Sequence, residues 1–288
     1  EPIVTVRGNA MQALMVETMI LLTINHQSLI ATKANRIGRA ASGRQVIEMG
    51  ARRAQGLDAA IDGARAAYIG GFNATTLYPA YKKYGIPVAT MMSHGWVQLF
   101  ESEIDAFKVY LEEHGQNGML LVDTYDTLDS GVKNAIRAFN EVLVPQGLRP
   151  AGIIIDSGDM TYLSKRARRM LDEAGFPDCD IYASNSLDEI LIKDMLNQGA
   201  KIDGFVVGEK LITSASSPVL DGVYKLCETE KNGDKIPAIM VSNNVNKITT
   251  PCSKRVWRLF DMESGKAIAD VLTLDSENIS EEIHTNSR

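Results

Sequence analysis

The sequence predicts an α/β protein built on a parallel β-sheet with helices packed outside it. Six short apolar segments alternate along the chain with segments of helical periodicity, which is the order that a parallel sheet requires. Each apolar segment also ends in a polar, glycine-rich or charged cluster. The carboxyl ends of parallel strands meet at one face of a sheet, so we expect these clusters to surround a single pocket.

The first predicted element is one long helix, Asn9–Ala41, because apolar residues recur there at helical spacing. The predicted strands that follow are Gln45–Met49, Pro87–Met91, Gly118–Asp123, Gly152–Asp156, Asp180–Ala183 and Gly204–Val207. The helices predicted between them are Leu57–Ile69, Val97–Glu113, Gly131–Leu143, Tyr162–Ala174 and Leu187–Gln198.

The pattern changes beyond residue 221, where helical periodicity ends and Asn, Gly and Asp mark turns. The strands predicted there are Val223–Cys227, Ala238–Ser242, Arg255–Asp261 and Ala267–Leu274. We therefore predict two domains, an α/β domain over 1–221 and a mainly β extension over 222–288.

Composition narrows the class of protein. The chain is 45% hydrophobic, as globular cores require, and its formal net charge of -6 argues against a nucleic-acid surface, which needs clustered Lys and Arg. Residues 14–22 are apolar but too short and too polar to span a membrane, and we expect no secretory leader. Its widely spaced cysteines favour neither disulfides nor a zinc site. These features predict a cytoplasmic protein with no membrane partner.

His94 follows the second predicted strand, where an imidazole can face a pocket as a nucleophile or proton carrier. A histidine hydrogen-bonded at a loop corner is the other interpretation. Arg52 and Arg53 end the first strand, and a guanidinium there can anchor a carboxylate or phosphate, although solvated arginine pairs are common.

Two pairs of aspartates also follow predicted strands. Asp123 and Asp126 flank Thr124-Tyr125, and Asp156 and Asp159 flank Ser157-Gly158. Such carboxylates can hold a ribose diol, a magnesium ion or a histidine ring. Turn formation explains the second pair equally well. For the first pair we favour a functional role, because Asp126 has no turn role evident from the sequence.

Six segments stand in a distinctive order along the chain: EMGARRAQGLDAAIDGARAAYIGGF, YGIPVATMMSHGWVQLF, LLVDTYDT, DSGDMTYLSKRARRMLDEAGF, ASNSLDE and VGEKLITSASSPVLDGVYKL. Together they resemble the successive motifs of nicotinate phosphoribosyltransferases, over roughly residues 1–250. The resemblance implies the irregular TIM-like α/β barrel of type II phosphoribosyltransferases, without most of the family's N-terminal segment.

The resemblance also implies roles for particular residues. His94 matches the histidine that ATP phosphorylates, and Asp123 and Asp126 match carboxylates around it. The implied substrate-binding residues are Arg52, Thr75, Asp156, Ser157, Gly158, Gly208 and Glu209, the last two at the 5'-phosphate. The implied reaction transfers phosphoribosyl from phosphoribosyl pyrophosphate to nicotinate, with ATP and Mg²⁺, in a homodimer that serves NAD salvage. Metal ligands stay unassigned.

Some positions depart from the family pattern. Ile154 stands where the family commonly has an arginine, Thr90-Met91 replaces a Gly-Thr pair, Gly95 replaces a serine, and Leu77 replaces a polar residue. These departures keep open a catalytically silent relative that only binds nicotinate or a nucleotide. A type I phosphoribosyltransferase is a second alternative, because LLVDTYDTLDSG loosely resembles the acidic loop of that family.

Overall fold

The structure is a computed structural model that describes residues 2–243, 248–277 and 279. The predicted extension also includes 244–247, 278 and 280–288, which lie outside the described residues. Contacts divide the chain into two units, one containing Glu1–Leu22 and Gly222–Arg288 and the other Thr23–Asp221. The first 22 residues are thus grouped with the C-terminal residues, and the predicted domain division otherwise stays a prediction.

The larger unit contains one parallel sheet of six strands, which curls into a half-barrel. The strands are β1 (Gln45–Glu48), β2 (Ala74–Thr75), β3 (Met119–Leu121), β4 (Gly152–Ile155), β5 (Asp180–Ala183) and β6 (Gly204–Val207). Their spatial order is β2-β1-β6-β5-β4-β3, and every pairing is parallel. The sequence prediction of a parallel α/β fold is therefore confirmed.

Helices precede, connect and follow these strands. They are α1 (Ala10–Met15), α2 (Glu17–Ala40), α3 (Leu57–Ile69), α4 (Tyr78–Tyr84), α5 (His94–Gln98), α6 (Glu103–His114), α7 (Val132–Ala138), α8 (Met160–Glu173), α9 (Glu189–Asn197) and α10 (Glu209–Ile212). Among the described residues, no helix is both long and apolar enough to cross a membrane.

The sheet is covered as the sequence predicts for a parallel sheet. All four residues of β4 and of β6 are buried, which matches their continuous apolar sequences. Helix α8 is amphipathic and buries Ala167 and Leu171 against the core. The Asp159 side chain accepts the Tyr162 amide proton at 3.0 Å and begins this helix, so the second aspartate of DSGD is a helix cap.

Three predicted boundaries are wrong in detail. The N-terminal helix is interrupted at Val16, between α1 and α2. The predicted helix Val97–Glu113 is two helices, because Ser102 caps α6 by accepting the Asp105 amide proton at 3.3 Å. The predicted strand Pro87–Met91 forms only a single parallel bridge, between Val88 and Thr75.

The segment after Val88 connects the two edges of the half-barrel. Val88 pairs beside β2, at one edge of the sheet. Six residues later α5 begins at His94, whose ring contacts Thr124, just past β3 at the opposite edge. The chain therefore crosses the mouth formed by the carboxyl ends of the strands.

The other unit contains two antiparallel hairpins. One pairs β7 (Glu228–Lys231) with β8 (Asp234–Pro237), and the other pairs β9 (Lys254–Phe260) with β10 (Ala267–Leu274). The second hairpin confirms two predicted strands. Val223–Cys227 and Ala238–Ser242 are not strands; the first hairpin lies between them, around an Asn232-Gly233 turn with positive φ angles. Its strands are charged and mostly exposed, so apolar patterning could not reveal them.

Candidate active site

A cavity of about 290 Å³ opens at the carboxyl ends of the strands. Its apolar wall consists of Met49, Met91, Met92, Leu121, Ile154 and Val206, with Ala51 beside them. Its polar lining consists of Arg52, Thr76, Ser93, His94, Asp156 and Ser184. Three of the predicted site residues, Arg52, His94 and Asp156, thus meet in one pocket, and the rule for parallel strands predicts this for Arg52 and Asp156, which follow β1 and β4.

The His94 ring is held at the start of α5. Ser93 caps the helix by accepting the Trp96 amide proton at 3.3 Å, and the Trp96 indole donates to the Ala106 carbonyl at 3.2 Å. The His94 Nδ1 atom lies 3.3 Å from Thr124 Oγ1, and its Nε2 atom lies 3.7 Å from Asp156 Oδ2. The imidazole is half-exposed, so an incoming group can reach it.

Asp123 supports the loop that carries Asp156. Its side chain is buried, and Oδ2 accepts hydrogen bonds from Ser157 Oγ at 2.5 Å and from the Asp156 amide at 3.1 Å. Its Oδ1 atom has no hydrogen-bond partner among the described residues. Asp123 does not line the cavity itself, so its contact with the site passes through Asp156 and Ser157.

Asp126 has a local structural role that the sequence did not reveal. Its exposed carboxylate accepts the amide protons of Leu128 at 3.0 Å and Asp129 at 2.6 Å. It thereby caps the π-helical turn Thr127–Gly131 that precedes α7. The expectation that Asp126 lacks a turn role is wrong, and its predicted catalytic role stays a prediction.

The two strand-end arginines face different partners. Arg52 lines the cavity, whereas Arg53 approaches the exposed Glu209 carboxylate at 3.6 Å. Thr75 is fully buried and does not line the cavity, but its neighbour Thr76 does. Thr75 is the last residue of β2 and Thr76 follows it, so the two side chains need not share a face, and only Thr76 lines the cavity.

Gly158, Gly208 and Glu209 do not line the cavity. Gly158 has a φ of +87°, which favours glycine at this turn. A Cβ atom on Gly208 would lie 2.9 Å from the Met49 carbonyl oxygen, so close packing of β1 against the turn before α10 requires glycine. The backbone conformation at Gly158 and the close packing at Gly208 therefore explain both glycines without a ligand.

Sequence reasoning missed Thr76, Ser93 and Ser184 in the lining, and it missed Glu48 behind it. Glu48 ends β1 with 1% of its surface exposed. Burial raises the pKa of its carboxyl, and hydrogen bonds from Thr75 and Gly50 oppose that shift only in part. A charged residue inside an otherwise apolar strand is the signal that could have identified it.

Comparisons with known proteins agree in sequence and in fold. No protein-family model matches the chain. A nicotinate phosphoribosyltransferase of Bacillus subtilis is 44% identical over 282 residues, or 98% of this chain and 57% of that protein. Nicotinate phosphoribosyltransferase pncB2 of Mycobacterium tuberculosis is 38% identical over 97% of this chain and 58% of that protein. The chain thus spans somewhat more than half the length of these relatives.

Solved structures share the fold. Human nicotinic acid phosphoribosyltransferase superposes with a TM-score of 0.73 at 23% identity, covering 94% of this chain and 60% of that one. Nicotinate-nucleotide pyrophosphorylase from Pyrococcus furiosus superposes with a TM-score of 0.69 at 25% identity, covering 91% of this chain and 61% of that one. The half-barrel is a type II fold, so the type I alternative is wrong. This chain belongs, in sequence and in fold, to the nicotinate phosphoribosyltransferase family of type II phosphoribosyltransferases.

Proposed function

We propose that this chain transfers phosphoribosyl from phosphoribosyl pyrophosphate to nicotinate, giving nicotinate mononucleotide and pyrophosphate, as a step of NAD salvage. The observation that carries the proposal is the make-up of the cavity. One wall of the cavity is apolar, and Arg52 contributes a guanidinium to the lining. The His94 imidazole and the Asp156 carboxylate also line the cavity and lie close to each other. The sequence relatives bear the name of this activity.

The cavity suits a flat aromatic acid. The side chains of Leu121, Ile154 and Val206 come from three separate strands and offer an apolar surface to a pyridine ring. Arg52 can receive the nicotinate carboxylate through two parallel hydrogen bonds. The uncharged amide of nicotinamide would lack this charge pairing, so the cavity favours the acid.

Asp156 is the carboxylate in the cavity lining that can interact with the ribose. Phosphoribosyl transfer develops positive charge at the anomeric carbon, which a nearby carboxylate stabilises. Asp156 lines the cavity, and its loop is held from behind by the buried Asp123. We infer that Asp156 contacts the ribose and that Asp123, Ser157 and Gly158 keep its loop in position.

His94 is proposed to couple the reaction to ATP. The Asp156 carboxylate near Nε2 favours the tautomer with its proton on Nε2, which leaves a lone pair on Nδ1. This lone pair attacks the γ-phosphorus of ATP, the bond to the β,γ-bridging oxygen breaks, and ADP leaves with the electron pair. Hydrolysis of the resulting phosphohistidine would draw the transfer toward product.

Magnesium is also proposed to take part. Among the described residues, no group of three or more His, Cys, Asp or Glu side chains could hold a metal alone. One cavity carboxylate nevertheless fits the way Mg²⁺ usually binds, through one or two carboxylates together with substrate phosphates. Asp156 would hold the ion, which would neutralise charge on the pyrophosphate.

We propose a cytoplasmic homodimer. The exposed apolar side chains of the N-terminal helices, among them Met15 at 77% exposed, support a surface that a second copy covers.

The test is product formation. The protein is incubated with nicotinate, phosphoribosyl pyrophosphate and Mg²⁺, with and without ATP, and nicotinate mononucleotide is measured by chromatography. We expect product with nicotinate, little with nicotinamide, and transfer of label from [γ-³²P]ATP to the wild-type protein but not to H94N. The silent alternative, which Ile154 supports, predicts nicotinate binding with neither product nor label.

A further inference from the structure

Glu48 is a buried carboxylate that does not line the cavity. It pairs in register with Thr75 on one side and Val207 on the other. The neighbouring positions Met49, Thr76 and Val206 line the cavity, and strand side chains alternate between the two faces. Glu48 and Thr75 therefore project from the outer face of the sheet, toward the helices.

From that face, Glu48 joins the ends of two strands. One of its oxygens accepts the Gly50 amide proton, and the other accepts the Thr75 hydroxyl proton at 2.5 Å. The Thr75 hydroxyl in turn accepts the Leu77 amide proton at 3.0 Å. One carboxylate thus organises the turn after β1 and the turn after β2.

Both turns deliver residues to the cavity. The turn after β1 continues as the 3-10 helix Ala51–Arg53, closed by a hydrogen bond from the Arg53 amide to the Gly50 carbonyl at 2.8 Å. Arg52 enters the cavity from this helix, and Thr76 enters it from the chain between Thr75 and Leu77. Gly50 is also confined, because a Cβ atom there would lie 2.6 Å from Ile212 Cβ.

We propose that Glu48 is a positioning residue, which holds the Gly50–Arg52 turn and the Thr75–Leu77 turn so that Arg52 and Thr76 face the substrate. A buried carboxylate with no cationic partner among the described residues adds little to stability by itself. Its two hydrogen bonds, both to strand-end groups, instead fix the geometry of the lining. That the ligand is nicotinate rests on the function proposed above, whereas the positioning role of Glu48 does not depend on that function.

The test compares variants at Glu48 and Thr75 with a matched buried carboxylate elsewhere. Glu103 is 5% exposed and accepts side-chain hydrogen bonds from Ser130 at 2.6 Å and Asn134 at 2.9 Å, outside the cavity lining. E48A and T75V should each raise the nicotinate KM about tenfold with kcat changed about twofold or less, because E48A loosens the turn that carries Arg52 and T75V loosens the turn that carries Thr76. T75S keeps the hydroxyl and should have the wild-type KM, and E103A, which removes a buried carboxylate outside the cavity lining, should also leave KM unchanged.

Amide hydrogen exchange separates this inference from the proposed function. E48A removes the acceptor of the Gly50 amide, so exchange at Gly50 should become faster, and T75V removes the acceptor of the Leu77 amide, so exchange at Leu77 should become faster. Exchange in β4 and β5 should match wild type in both variants, and T75S and E103A should leave Gly50 and Leu77 protected. If wild type makes no product, the proposed function fails and exchange alone decides the positioning role. An unchanged KM in an active protein, or unchanged exchange at both amides, would overturn it.

Discussion

The His94 Nε2 atom lies 3.7 Å from Asp156 Oδ2, although 61 intervening residues separate the two along the chain. Asp156 follows β4, whereas His94 begins the helix reached after the chain crosses the mouth of the half-barrel. The Thr124 hydroxyl, just past β3, contacts the other nitrogen of the ring at 3.3 Å. Groups just past two different strand ends thus lie beside the two ring nitrogens.

This relationship predicts the behaviour of D156N. An amide cannot favour the Nε2–H tautomer as a carboxylate does, so phosphorylation of His94 by labelled ATP should slow by a factor of about ten or more. T124S retains a hydroxyl near Nδ1 and should label at nearly the wild-type rate. A D156N protein that labels as fast as wild type would show that Asp156 does not orient the ring.

Arg52 is predicted to set the preference for an acid. R52K loses the planar fork that matches a carboxylate, so the KM for nicotinate should rise about tenfold or more while the weak use of nicotinamide changes little. The matched control is R53K, since Arg53 faces Glu209 rather than the cavity. Steady-state kinetics with both substrates checks this, and equal effects of R52K and R53K would contradict it.

Two substitutions at Asp126 distinguish a helix-capping role of this residue from a catalytic role. D126A removes the acceptor for the Leu128 and Asp129 amides and should lower the free energy of unfolding by about 1 kcal/mol. D126N retains a capping oxygen, so we expect wild-type stability and a nearly unchanged kcat/KM. Urea unfolding and kinetics measure the two effects. Wild-type stability with a large loss of kcat/KM in D126N would instead support the catalytic role implied by the resemblance.

The sequence predicted the parts of the fold that depend on continuous apolar runs. Strands β1, β4, β5 and β6 lie where such runs were identified, and their common edge brings Arg52 and Asp156 together, whereas His94 reaches them from the segment after Val88. Strand β2 was missed because it has two residues and no apolar run. A strand was predicted at 87–91 because this segment is apolar, but its residue Met91 lines the cavity instead.

Side-chain direction at the site could not be read from the sequence. Thr75 and Thr76 are chemically identical neighbours, and only the register of β1 with β2 shows which one faces the pocket. Asp126 likewise looks like Asp123 in sequence, yet one is an exposed cap and the other a buried acceptor. Such differences arise from tertiary contacts rather than from local pattern.

Glu48 gives the last prediction, which concerns stability and pH. Burial raises the pKa of its carboxyl above the ordinary value of 4.5. The folded protein therefore holds this proton more tightly than the unfolded chain, so the stabilising contribution is complete below pH 4.5 and is lost as the pH rises through the raised pKa. Glutamine does not titrate. The free energy of unfolding of wild type should therefore fall relative to that of E48Q as the pH rises from 4.5.

Asp178 offers a control of opposite sign, because Arg149 beside it lowers the pKa of its carboxyl below the ordinary value of 3.8. Its contribution is present above pH 3.8 and is lost as the pH falls through the lowered pKa, so wild type should lose stability relative to D178N only toward acid pH. Solvent screening at this half-exposed pair makes the effect small. Urea unfolding of the three proteins across this pH range measures both differences. A wild-type advantage over E48Q that grows with rising pH would mean that Glu48 is better stabilised as an anion than its burial implies.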